Sequence, residues 1–178
     1  MTDYPRFFEK LVVIAQEVDW AAVYQAELPR LYNFFRYRIG DDHAAEDLAA
    51  TTFEKAWRNR HRYRHNLAAF STWLFTIAKH VATDYFRRPN LDTPFDAAIH
   101  LVDDETTESL VEQRADFQRL STLLAQLSDR DRELVALKYG AGLTNRAIAD
   151  LTKLSESNVG TILHRITQQL RTAWEEKP

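Results

Sequence analysis

The chain has 178 residues, 45% hydrophobic and 28% charged, with a formal net charge of -3 and no cysteine. That is enough to bury a core as one domain or two small ones. It excludes disulfide staples, cysteine-ligated zinc sites and cysteine nucleophiles. No apolar run is long enough for a bilayer, and the N-terminus lacks a basic-then-apolar leader pattern, so a cytoplasmic protein is expected. Gly (4) and Pro (5) are scarce, and long stretches at helical rather than alternating spacing make the expected fold class all-α.

The charge is unevenly spread. Residues 1–88 hold 13 Lys/Arg against 11 Asp/Glu, residues 89–128 hold 2 against 8, and residues 129–178 hold 8 against 7. The acidity sits in the middle, so any anionic ligand must be met by local clusters near the two ends.

In chain order, residues 3–18 (Phe7, Phe8, Leu11, Val12, Ile14, Ala15, Val18) predict a short helix. Asp19 is placed to cap a second helix to Ile39, stopped by Gly40 and bent by Pro29. Asp41 and Asp42 lead into a third, His43 to about Arg60. Its expected buried stripe is Ala44, Leu48, Ala49, Thr52, Phe53, Ala56 and Trp57. Arg58 to His65 then interleaves cations with aromatics, which suits phosphates and bases; a solvated basic loop is the other reading.

The next helix, Phe70 to Arg88, is predicted to turn Phe70, Trp73, Leu74, Ile77, Ala78 and Val81 to the core. Its front carries Thr72, Phe75, Thr76, Lys79, His80, Thr83 and Asp84, followed by Tyr85, Phe86, Arg87 and Arg88, before Pro89 stops it. Such a front fits unstacked bases and phosphates, though aromatics at this spacing also build cores.

Periodicity disappears over residues 89–107, which read as an anionic linker. A helix from Glu108 to Leu127 follows. Ser128 caps the next, with Asp131 in capping-box position, so Asp129 to Tyr139 is helical until Gly140 and Gly142 break it. Thr144 caps a short helix, Asn145 to Leu151. After a turn at Thr152 to Leu154, Ser155 caps a long helix ending near Trp174, with Val159, Ile162, Leu163, Ile166 and Leu170 inward. Short helix, turn and capped helix make the helix-turn-helix plan, favoured here over an ordinary helical hairpin. It places Glu156, Ser157, Asn158, Gly160, Thr161, His164 and Arg165 where a recognition helix meets DNA.

Two blocks in this order resemble an extracytoplasmic-function (ECF) sigma factor, the promoter-recognition subunit of bacterial RNA polymerase. Ala45-Glu46-Asp47-Leu48, Phe53, Ala56-Trp57, Trp73-Leu74, Ile77-Ala78, Asp84 and Arg87-Arg88 stand as in the family's region two. Leu127-Ser128 to Leu170-Arg171 resembles region four. The resemblance implies two small helical domains: a region-two bundle (1–88) and a region-four helix-turn-helix domain (108–178), joined by the acidic linker (89–107). It implies that Asp47, Leu48, Phe53, Glu54 and Trp57 dock on the polymerase. Arg62, Tyr63, Phe75, Lys79, His80, Thr83 and Asp84 would hold the opened minus-ten strand, with Arg87 and Arg88 on phosphates. Thr144 and Arg146, with the recognition-helix residues named above, would read the minus-thirty-five element. The linker would follow the enzyme's cationic RNA path. The expected partners are core RNA polymerase, promoter DNA and an anti-sigma factor, with no membrane insertion. The recognition helix is sparing in cations beyond His164, Arg165 and Arg171, so weak duplex binding by the isolated C-terminal half is expected.

Three other readings compete. Asp41, Asp42, His43, Glu46 and Asp47, or His61 with His65, could be imagined as metal ligands. The acids, however, match a helix N-terminus, the histidines sit among cations, and no nucleophile–base pair is evident. No catalytic residue, metal or cofactor is therefore expected. A helix-turn-helix regulator with an N-terminal sensor domain would leave the aromatic helix without a task. An adaptor that sequesters polymerase without reading DNA is the third.

Overall fold

The computed structural model describes residues 18–64, 69–87 and 108–176, and the side chains of 108–111 are left aside. The predicted helix over residues 3–18, apart from Val18, which is not helical, lies outside the described residues, as do His65, Arg88 and the acidic linker.

Five of the helices begin where a short polar side chain satisfies free backbone donors, whereas the helix from Phe70 starts after Ala69 without one. Helix α1 (Trp20–Ile39) opens at Asp19, whose carboxylate accepts from the Ala21 and Ala22 amides at 3.1 Å each. It closes at Gly40 with φ 85°, a left-handed conformation that glycine adopts without strain. Helix α2 (Asp42–Arg58) starts where Asp41 accepts from the Ala44 amide at 2.6 Å. A 3₁₀ turn, Arg60–Arg62, follows, and then α3 (Phe70–Phe86). Helix α4 (Glu108–Ala125) is closed by Arg132, which donates to the Leu124 and Ala125 carbonyls at 2.9 and 2.6 Å. Helix α5 (Asp129–Val135), capped by Ser128, does not run on regularly to Tyr139: it widens into a π turn, Ala136–Gly140. Helices α6 (Asn145–Thr152) and α7 (Glu156–Glu175) are capped by Thr144 and Ser155. The described residues include no strand.

Leu31, Phe34 and Phe35 of α1 are fully buried. Ala45, Ala49 and Ala56 let α2 approach α1 closely, and Leu74, Phe75, Ala78, Val81 and Ala82 close the group from α3. Phe34 stands edge-to-face with Phe35 at 5.1 Å and with Phe75 at 5.7 Å. Each large ring so buried contributes roughly 1.5–3 kcal/mol.

Side-chain assignments on two helices, α3 and α2, need correction. Phe75, expected on the open front, is 0% exposed, while Phe70, Trp73 and Ile77, expected inside, are only half-buried. The apolar stripe of α3 is rotated about its axis, because α1 packs on its Phe75 side. Trp57, expected in the buried stripe of α2, is 49% exposed.

The two blocks form helical units in the expected order, yet they are not separate beads. Leu134, Ala136, Leu137, Ala141, Leu143, Ile148, Val159 and Leu163 join the same buried cluster as the Phe34 group. A smaller cluster, Leu124, Leu127, Val135 and Ile166, packs under α4.

Candidate nucleic-acid and polymerase interface

The first surface is aromatic. Tyr63, just past the basic 3₁₀ turn, packs on Phe70 at 5.2 Å and on Trp73 at 5.3 Å. Trp20 extends the chain of rings from Phe70 (5.6 Å) to Trp57 (5.2 Å), both edge-to-face. Burial raises the Tyr63 phenol above its ordinary pKa, so it remains a neutral donor through the physiological range. Arg60 covers the Trp57 ring at 4.3 Å, a cation–π contact, while Arg62 and Arg64 are exposed beside it. Cations next to half-covered rings provide both parts of single-strand recognition, charge for the backbone and flat faces for bases.

Along α3, His80, Thr83, Asp84 and Arg87 are exposed. The Thr83 hydroxyl donates back to the Lys79 carbonyl at 2.9 Å, and Asp84 lies 3.5 Å from Lys55 in an exposed, weak pair. Two predicted residues do not face open solvent. Phe75 lies beneath Phe34 and the Arg30 guanidinium, so no base can stack on it here. Lys79 is half-buried: its ammonium donates to the Leu151 carbonyl at 2.8 Å and lies 2.9 Å from Glu133 Oε1. Arg88 lies outside the described residues.

The second surface is apolar. Trp20, Tyr24, Phe53 and Trp57, with Ala21 and Gln25, line an open cleft of about 410 Å³ between α1 and α2. Phe53 forms its floor, 8% exposed and 4.7 Å from Tyr24, while Trp57 and Tyr24 form its half-exposed walls. Asp47 and Glu54 are exposed on α2, Leu48 is half-buried, and Glu54 pairs with Arg58 at 2.5 Å. An apolar centre with charged side chains around it is the build of a protein-docking site. Sequence reasoning missed Trp20 and Tyr24; the i, i+4 pair of large rings just after the Asp19 cap is the signal that could have found them.

The third surface is the helix-turn-helix. Lys153 takes the left-handed conformation (φ 61°) between α6 and α7, and its amide bonds to the Ala149 carbonyl at 2.9 Å. Glu156, Ser157, Asn158, Thr161 and His164 are exposed on α7, as are Thr144 and Arg146 at α6. Gly160 is half-buried where α7 crosses α6; a Cβ there would lie 3.5 Å from Asn145 Nδ2. Arg165 is exposed but spans 2.9 Å to Asp131.

The sequence matches the Sigma-70 region 2 family over residues 23–90 and the Sigma-70, region 4 family over residues 117–170. It is 28% identical over 153 residues to the ECF RNA polymerase sigma factor SigM of Bacillus subtilis, covering 85% of this chain and 93% of that one. It is 25% identical over 165 residues to the ECF sigma factor RpoE of Cereibacter sphaeroides, covering 93% and 90%. In fold it is similar to the sigma factor RpoE of Bartonella quintana, solved with the anti-sigma factor NepR. That match has a TM-score of 0.68 at 22% identity and covers 90% of this chain and 99% of that one. It is also similar to CnrH, solved with the cytosolic domain of CnrY (TM-score 0.62, 20% identity, 97% and 90% covered).

Both halves of a sigma-70-type initiation factor are thus present, in the family's order. The chain belongs to the ECF sigma factors, alternative sigma subunits that bring bacterial RNA polymerase to promoters and begin transcription there. Among the described residues no helix is long and apolar enough to cross a membrane.

Proposed function

We propose how the residues divide this work. The cleft of Trp20, Tyr24, Phe53 and Trp57, with Asp47, Leu48 and Glu54 on the same helix, docks on core RNA polymerase. Arg62 and Tyr63, with Phe70 and Trp73 behind them and His80, Thr83 and Asp84 along α3, hold the separated minus-ten strand. Capturing an unstacked base offsets an unstacking cost of a few kcal/mol, so melting and binding become one event. Lys79 joins that surface when its ammonium is free, and Arg87 and Arg88 lie on phosphates. Helix α7 reads the minus-thirty-five element through Glu156, Ser157, Asn158, Thr161, His164 and Arg165, with Thr144 and Arg146 at its side. Residues 1–88 and 108–178 act as the two functional units, with the acidic segment 89–107 following the polymerase's RNA path. The protein works in the cytoplasm, without catalysis of its own, and an anti-sigma factor restrains it, as the similar sigma factor RpoE solved with the anti-sigma factor NepR suggests.

The observation that carries this division is the continuous row of rings linking the apolar cleft to the basic turn. The test is run-off transcription with polymerase lacking any sigma subunit. Specific transcripts that disappear in Trp57→Ala and in Tyr63→Ala are expected. A protein that binds the enzyme yet directs no transcript would be an adaptor. One that binds duplex DNA as a dimer with no transcript would be a repressor.

A further inference from the structure

The recognition helix is poor in fixed positive charge. Over its first ten residues, Glu156 to Arg165, Arg165 is the one Lys or Arg, and Glu156 offsets it. Asn158, Thr161 and Arg165 stand at i, i+3 and i+7, so they share one face of α7. Asn158 and Thr161 are exposed on that face, and the Arg165 side chain is 64% exposed at its far end. With a rise of about 1.5 Å per residue, Arg165 lies roughly 13 Å from the leading end of α7. A helix that enters a groove by its leading end brings such a residue to the sugar-phosphate wall, beyond the base edges.

Arg165 does not hang free. Its Nη2 donates to Asp131 Oδ2 at 2.9 Å, on α5. Both ends of this link stand on fixed elements. Asp131 lies in the first turn of α5, where its amide donates to Ser128 Oγ at 3.1 Å, and Leu134 and Val135 anchor that helix in the interior. On α7, Leu163 and Ile166 beside Arg165 are buried. The Asp131 side chain is 19% exposed, so the carboxylate is the enclosed member of the pair and the guanidinium the open one. Among the described residues, Nε and Nη1 of Arg165 have no aligned partner.

An ion pair with so exposed a guanidinium adds little to stability. What it adds is order. A free arginine side chain gives up rotamer freedom when it grips a phosphate, and one already held by a nitrogen has less to lose. Five N–H donors leave most of the guanidinium available to a second acceptor. We infer that Asp131 is a positioning residue for duplex recognition: it holds Arg165 so that the remaining donors meet a backbone phosphate beside the groove. This rests on the reading of α7 as the recognition helix. General electrostatics gives the opposite sign, because an acid near DNA repels phosphates and its removal should tighten binding.

The test is anisotropy binding by the full chain assembled with core polymerase. The probe is a fluorescent duplex selected by that complex from random-sequence DNA. Asp131→Ala and Asp131→Asn should each weaken binding about 3–10-fold, the size of a coupled pair. They should also lower the slope of log K against log salt by up to about 1, as expected when one phosphate contact is lost. Asp131→Glu, which keeps a carboxylate, should restore most of the affinity. Arg165→Ala should weaken binding at least as much, and Asp131→Ala added to it should change nothing further, because Asp131 acts only through Arg165. Circular dichroism confirms that each variant is folded at the binding temperature. Tighter binding by Asp131→Ala would make the acid a mask on Arg165 and overturn the inference. So would an Asp131→Ala loss that persists in full without Arg165. Unchanged binding in Asn158→Ala, Thr161→Ala and Arg165→Ala alike would sink the reading of α7 itself. A loss in those three with Asp131→Ala unchanged sinks only the positioning.

Discussion

Helices α3 and α7 both carry residues expected to read nucleic acid, and the structure treats them differently. The leading end of α7 is open: Glu156, Ser157, Asn158, Thr161 and His164 all face solvent. On α3 one residue expected to read DNA is core and another is engaged, with Phe75 under Phe34 and Lys79 held by Glu133 and Leu151. The surface proposed to read duplex is thus exposed, while the one proposed to read the single strand is partly covered. That ordering suits a protein that must find double-stranded DNA before it opens it. It also shows that a helix's exposed face is a property of the whole chain, since the covering of α3 comes partly from residues more than fifty positions away.

The sharpest way to break this contrast is Phe75→Ala. If Phe75 is core, the substitution removes a buried ring and costs about 3–5 kcal/mol of stability, read by denaturant unfolding. Unchanged stability with lost strand binding would return Phe75 to the DNA surface. Trp57→Ala should do the reverse. The half-exposed ring costs little stability, but its loss should weaken binding to core polymerase by about 2 kcal/mol or more, as for a central aromatic anchor; titration with labelled core polymerase measures it. On the open reader, Arg146→Ala should weaken duplex binding evenly across sequences and lower the slope of log K against log salt by about 1. A change confined to one base position would make Arg146 a base reader instead. The smallest effect belongs to the turn joining α6 and α7: Lys153→Gly relieves a left-handed conformation and should raise stability by about 0.5–1 kcal/mol. A fall in the melting temperature would show that the Lys153 side chain contributes more than its strain costs.

What could be read from the sequence was whatever is decided within a few residues. The caps expected at Asp19, Ser128, Thr144 and Ser155 each hold backbone amides of the first turn, and Asp41, expected only to lead into its helix, caps it as well. The helix-turn-helix followed directly, as did the inward Val159, Leu163 and Ile166. What could not be read depended on distant packing. The rotation of α3 is set by α1, and the shared core is set by the second block. Ser128 with Asp131 illustrates the boundary: the cap formed as expected, yet the Asp131 carboxylate is paired with Arg165 on α7. The cleft lay in between. Phe53 and Trp57 were named as docking residues, but Trp20 and Tyr24 complete it from another helix, and helical periodicity does not say which rings of two crossing helices meet.

The edge-to-face pair of Trp20 and Trp57 has one more consequence. Indole emission shifts to the blue when water leaves the ring, and Trp57 is the wetter member of the pair. Trp174 sits apart in the second block under the Arg119 guanidinium. Occupation of the cleft should therefore be visible in the protein's own fluorescence, with a distant indole as an internal standard and no dye attached.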